Sequence, residues 1–130
     1  MFTSANIKSQ SQVTAEKLAA AKLSAVAQIN AERDTAISAG VAYDGNDYQT
    51  DETSIADLAQ ATQIATLNNL TTVNWLTKDN TVVNLTLAKL TALANAVFTL
   101  KTTEIYAARV KKDAVNAATT ITQINTILGE

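Results

Sequence analysis

Residues 41–52, VAYDGNDYQTDE, decide how this chain is built. Apolar or β-favouring side chains stand at Val41, Tyr43, Tyr48 and Thr50, with polar residues between them and Gly45 near the centre. Alternation with period two around a glycine turn is the pattern of a β-hairpin. A Gly45-Asn46 loop sets Tyr43 opposite Tyr48 and Val41 opposite Thr50. An Asp44-Gly45 loop shifts the pairing but still keeps Val41, Tyr43 and Tyr48 on one face. The acids of this stretch do not form a calcium loop, which needs a glycine at its sixth position and a glutamate at its twelfth. Counting from Asp44 puts Gln49 and Ile55 there, and counting from Asp47 puts Glu52 sixth. Nor does the spacing set two carboxylates across a cleft, as glycoside hydrolysis requires. Asp44 and Asp47 flank a turn, while Asp51 and Glu52 stand where a helix begins and its dipole favours negative charge.

Working outward, the pattern becomes helical on both sides. From Val13 to Ala39, Leu18, Leu23, Val26, Ile29 and Ile37 recur at mostly three- to five-residue spacing, with charged residues between. Ser11 or Thr14 can cap the start, and Gly40 is the expected stop. The seam keeps no strict heptad, so an amphipathic helix packed on its own domain fits better than a coiled coil. From Thr53 to Leu70 a second helix carries Ile55, Leu58, Ile64 and Leu67, with Ala59, Ala61 and Ala65 filling in.

A second hairpin follows in TVNWLTKDNTVVNLT, residues 72–86. A three-residue Lys78-Asp79-Asn80 loop pairs Trp75 with Val83 and Val73 with Leu85, leaving Asn74 across from Asn84 on the other face. That register separates apolar from polar, and Asn80 tolerates the left-handed turn position it requires. Trp75 is accordingly expected in the core. A long helix over Leu87–Ala117, capped by Thr86, then carries Leu87, Leu90, Leu93, Val97, Leu100, Ile105, Ala108 and Val115. Thr120 and Gln123 have capping-box spacing, Ile121, Ile124 and Leu128 share a face, and Gly129 ends a short last helix. The expected fold is α+β and mostly helical: long helix, β-hairpin, helix, β-hairpin, long helix, short C-terminal helix. A polar segment covers 1–12 and a single domain 13–130.

Composition narrows the function. The 130 residues include no histidine, cysteine or proline. Disulfides and thiolate metal sites are thereby excluded, and the commonest neutral-pH acid/base is missing. Glycine occurs only at 40, 45 and 129, so no glycine-rich phosphate loop exists. No catalytic residues, cofactor or metal are expected. A net charge of −2 gives no electrostatic footprint for nucleic acid. The one basic cluster, Arg109, Lys111 and Lys112, falls late in the long helix, where cations complement the dipole. No apolar run approaches the ~18 residues of a membrane span, and MFTSANIKSQSQ lacks the apolar stretch of a signal peptide. Charged residues are only 17%, and a neutral polar surface suits a protein that ends inside an assembly, which leaves homo-oligomerisation open. By elimination, contact with other proteins is the expected role.

Residues 32–55, ERDTAISAGVAYDGNDYQTDETSI, resemble the signature of a small phage domain found in tail-fibre assembly loci. The shared features are an Arg-Asp helix end, an alanine-glycine break, a tyrosine-bracketed glycine turn and an Asp-Glu-Thr helix start. The tryptophan strand, Thr77, Asp79-Asn80, Val82-Val83, Leu85-Thr86 and the AATT before the last helix agree, so the resemblance covers about residues 28–128. It implies a bacteriophage tail-fibre assembly chaperone, which binds the fibre polypeptide in the host cytoplasm and assists its folding or trimerisation. Relatives carry longer regions ahead of the domain; if fibre contact lives there, the alternative is a structural subunit of tail, baseplate or fibre that stays in the virion. Partners are then the tail-fibre protein or other virion proteins, with neither nucleic acid nor membrane. The apolar residues left outside the predicted core, Phe2 and Ile7, with Val13 and Leu18 at the thin end of the first helix, are the candidate partner-binding residues.

Overall fold

The computed structural model describes residues 7–130. The order is α1 (Gln10–Ile37), β1 (Val41–Tyr43), β2 (Asn46–Tyr48), α2 (Glu52–Leu67), β3 (Thr72–Leu76), β4 (Val82–Thr86), α3 (Leu87–Ala117) and α4 (Ile121–Leu128). The fold is α+β and mostly helical, with two separate two-stranded antiparallel sheets. The chain forms two compact units, one from residues up to 32 together with 107–130, the other from 33–106.

In the 33–106 unit the first hairpin takes the Asp44-Gly45 loop, with Val41 opposite Tyr48 and Tyr43 opposite Asn46. Both loop residues have positive φ, 51° at Asp44 and 81° at Gly45. This is the turn whose twist matches that of the strands. The second hairpin has Trp75 opposite Val83, Val73 opposite Leu85 and Asn74 opposite Asn84. Asn80 sits at φ 65°, and the Asn84 amide donates to Asn74 Oδ1 at 2.8 Å. The inward faces of both hairpins meet α2 and α3. Tyr48, Leu58, Ala65, Leu85, Leu90, Leu93 and Val97 are buried together, with Val41, Tyr43, Val73 and Trp75 packed on them. Trp75 is half-buried rather than enclosed.

Helix ends in this unit are set by side chains. Asp51 caps α2 by accepting from the Ser54 amide, and the Lys89 amide donates to Thr86 Oγ1 at the start of α3. The end of α1 is closed differently from expectation: the helix stops at Ile37, and Gly40 stands three residues beyond it at φ 103°.

The other unit packs Ala25 and Ile29 of α1 with Ala108 and Val115 of α3, Ala118, and Ile124 of α4. Thr120 and Gln123 form the capping box of α4, and Gly129 closes it in the left-handed conformation. At the other end α1 starts at Gln10, not at Val13. The Ser9 hydroxyl accepts from the Gln12 amide at 3.1 Å while Gln12 Oε1 accepts from the Ser9 amide at 2.8 Å. This reciprocal pair satisfies two orphan donors at once, so Ser9 takes the role assigned to Ser11 or Thr14. No residue of the late basic cluster falls in the last turn of α3. Arg109 pairs with Asp113 one turn on and Lys112 donates to Asn30 Oδ1. The cation at the last turn is Lys22 of α1, which donates to the Asn116 carbonyl at 2.8 Å.

Several apolar positions assigned to helix stripes face outward: Leu23, Ile64, Leu67 and Ile105 are exposed. Alanines take the inward positions instead. Ala25, Ala65 and Ala108 are buried, and a methyl at the contact lets a neighbouring element approach too closely for leucine to fit.

Candidate functional site

Within the 33–106 unit, α2 and α3 pack along a seam that small side chains leave open. Ala59 of α2 and Ala94 of α3 face a groove of about 270 Å³ whose floor includes Leu58 and Val97, both buried. Ile55 forms part of one wall, and Phe98 and Ile105 form part of the other. Phe98 is 66% exposed. Its place explains why: Leu90, Leu93 and Val97 hold the inward line of α3, and a residue immediately after Val97 is turned by one helical step onto the flank. An aromatic ring left on the flank of an apolar groove is surface whose removal from water is favourable, at about 25 cal/mol per Å². The cationic rim residue, Lys101, makes no ion pair among the described residues.

Of the candidate residues of the sequence reading, Ile7, Val13 and Leu18 do not line this groove. Phe2 lies outside the described residues. Ile7 is 60% exposed, Val13 is half-buried, and Leu18 is half-buried against the Ala25–Ile29 core of its own unit. The sequence reading did not single out Phe98 and placed Ile105 in the core stripe. The available signal was angular, since at about 100° per residue both positions fall to one side of the line through Leu90, Leu93 and Val97.

Displaced titrations in this unit trace to turns, caps and burial rather than to the groove. The Ser54 hydroxyl and amide hold Asp51 below the ordinary carboxylate range, and the Thr77 and Thr81 side chains do the same for Asp79 in the second turn. Burial raises the Tyr48 phenol, with the Asn46 side chain partly offsetting it. Asp44, 2.9 Å away, holds Lys89 protonated to higher pH. Among the described residues no three Asp or Glu side chains converge as a metal site would need, and no helix is long and apolar enough to cross a membrane.

Fold and groove together define a small, mostly helical α+β domain with an open apolar seam between two helices. The chain belongs to the family described as a domain of unknown function, DUF4376, whose model matches residues 19–127. Comparison with curated proteins and with solved structures finds no match.

Proposed function

We propose that this protein is a bacteriophage tail-fibre assembly chaperone that acts by binding and carries no catalytic chemistry. The α2–α3 groove is its client site, and the fibre polypeptide is the client. The single observation that supports this is the apolar groove itself, with Phe98 held out at its wall and small residues keeping the seam open. A fibre chain awaiting trimerisation exposes apolar side chains that its partners will later cover. A groove of this kind shields them in the meantime, because burying apolar surface is favourable whichever chain supplies it. The resemblance of residues 32–55 to a domain of tail-fibre loci supplies the biological setting, the host cytoplasm during assembly.

Co-expression with the tail-fibre protein tests the reading. The fibre is expected in the soluble fraction only when this protein accompanies it, and mature virions are expected to lack the protein or to carry it only at fibre tips. A fibre that folds alone, with this protein at fixed copy number in virions, would make it a structural subunit instead.

A further inference from the structure

The outer edge of β3 is an unfinished ladder. The Thr77 amide donates to the Thr81 carbonyl at 2.9 Å, and the Leu87 amide to the Thr71 carbonyl at 3.1 Å. These two bonds fix which peptide groups are spent on the β4 side. Because such positions alternate along an antiparallel pair, Asn74 and Leu76 turn their N–H and C=O groups away from β4. The next outward amide, that of Lys78, donates to the Asp47 carbonyl at 2.7 Å. The chain leaving β2 thus begins to pair with this edge and then departs from it. No described residue hydrogen-bonds to the outward peptide groups of Asn74 or Leu76.

Where the chain departs, a cleft of about 370 Å³ opens. Asn74, Trp75 and Leu76 line it from β3, while Gln49, Ser54 and Asp57 line it from the segment after β2 and the first turns of α2. Asp57 contributes the only charge in this lining and has no cationic partner among the described residues. Trp75, half-buried, is among the residues that line the same space. The cleft therefore combines three features. A row of backbone donors and acceptors asks for an extended chain, an aromatic surface suits an aliphatic stem or a cation, and a carboxylate asks for positive charge.

We infer that this cleft receives an extended segment of a partner polypeptide as a strand added to β3, with a lysine or arginine of that segment seated between Trp75 and Asp57. The added strand takes up the peptide groups of Asn74 and Leu76, continuing the pairing that Asp47 starts at Lys78. Main-chain bonds supply affinity in this mode of recognition, and the side-chain seat supplies selectivity. The inference goes beyond the chaperone reading, since the α2–α3 groove is lined by different residues and neither site needs the other.

The test is a titration of the full-length, isotope-labelled protein with acetyl-Thr-Val-Lys-Val-Thr-amide, followed by amide and indole NMR signals. Saturable shifts are expected at the Asn74 and Leu76 amides and at the Trp75 indole. A peptide with glutamate in place of its lysine, and a lysine peptide N-methylated on alternate amides, are expected to leave those signals unmoved over the same range. Asp57→Asn removes one exposed ion pair and is expected to weaken the lysine peptide about threefold, as such pairs do. Phe98→Glu is expected to change nothing in this titration. The inference is overturned if the Asn74 and Leu76 signals do not move, if the glutamate peptide moves them equally, or if Asp57→Asn has no effect. It is also overturned if dilution of the peptide-free protein alone shifts them, which would assign the edge to a second copy of this chain.

Discussion

The Thr50 hydroxyl donates to the Ile37 carbonyl at 2.5 Å and accepts from the Gly40 amide at 2.9 Å. Ile37 is the last residue of α1, where carbonyls have no partner within the helix. Thr50 is fully buried, so one side chain closes the helix and ties it to the segment two residues past the end of β2. Thr50→Val keeps the shape but leaves a carbonyl and an amide without this partner at a part-buried corner. Leaving a buried polar group unsatisfied costs about 1–3 kcal/mol. Thr50→Val is therefore expected to lose about 2 kcal/mol in denaturant unfolding, and Thr50→Ser clearly less. Equal losses for the two variants would show that packing of the methyl group, not the hydroxyl, holds this corner.

Gly40 and Gly45 separate two reasons for a glycine. At Gly40, φ is 103° and an added Cβ would lie 3.1 Å from the Tyr48 carbonyl oxygen, a backbone atom that cannot swing aside. At Gly45, φ is 81° and nothing lies within 4 Å. Gly45→Ala should cost only the left-handed penalty, about 1–2 kcal/mol. Gly40→Ala carries that penalty and the clash, and it is expected to be the more destabilising of the two by thermal or chemical unfolding. The reverse order would mean that the corner at Gly40 relaxes freely.

Acid should loosen the unit from its caps. Asp51 and Asp79 both have folded pKa values below their ordinary ones, held there first by the hydroxyls of Ser54 and Thr77 respectively. For a carboxylate depressed by folding, the unfolded chain binds the proton more readily. The stabilisation is then full above the ordinary carboxylate pKa and is lost as pH falls through the lower folded value. Denaturant midpoints are expected to hold from neutrality to about pH 5 and to drop below about pH 4, near the ordinary carboxylate pKa. Asp51→Asn keeps a good capping side chain without the charge, so its acid decline should be shallower than that of the parent. An unchanged acid limb in this variant would remove Asp51 from the account.

Much of this fold was legible in the sequence, and the reasons are local. Thr120–Gln123 and Gly129 specify α4 by themselves, because a capping box and a left-handed terminus are chemistry between near neighbours. The second hairpin followed from one requirement, that Val73, Trp75, Val83 and Leu85 share a face. The first was legible as a hairpin but left between two loops, since both keep Val41, Tyr43 and Tyr48 together. The observed loop places Asp44 and Gly45 at the two positive-φ positions. Leu23, Ile64, Leu67 and Ile105 were misplaced because counting large apolar residues overlooks the alanines at the closest helix contacts. The groove was not legible for the same reason: it exists where Ala59 and Ala94 stand instead of something larger. Thr50 was equally hidden, because its value lies in reaching Ile37 and Gly40, which no periodicity reports.

The most direct measurement of the central claim is tail-fibre solubility on co-expression with the parent protein and with Phe98→Glu. Phe98 is exposed, so the substitution should shift stability by no more than about 0.5 kcal/mol, as surface changes usually do. It nevertheless sets a charge at the wall of the apolar groove. The account predicts soluble fibre with the parent and insoluble fibre with Phe98→Glu at equal expression and equal unfolding midpoint. Fibre equally soluble with the variant, or with no added protein, would contradict it.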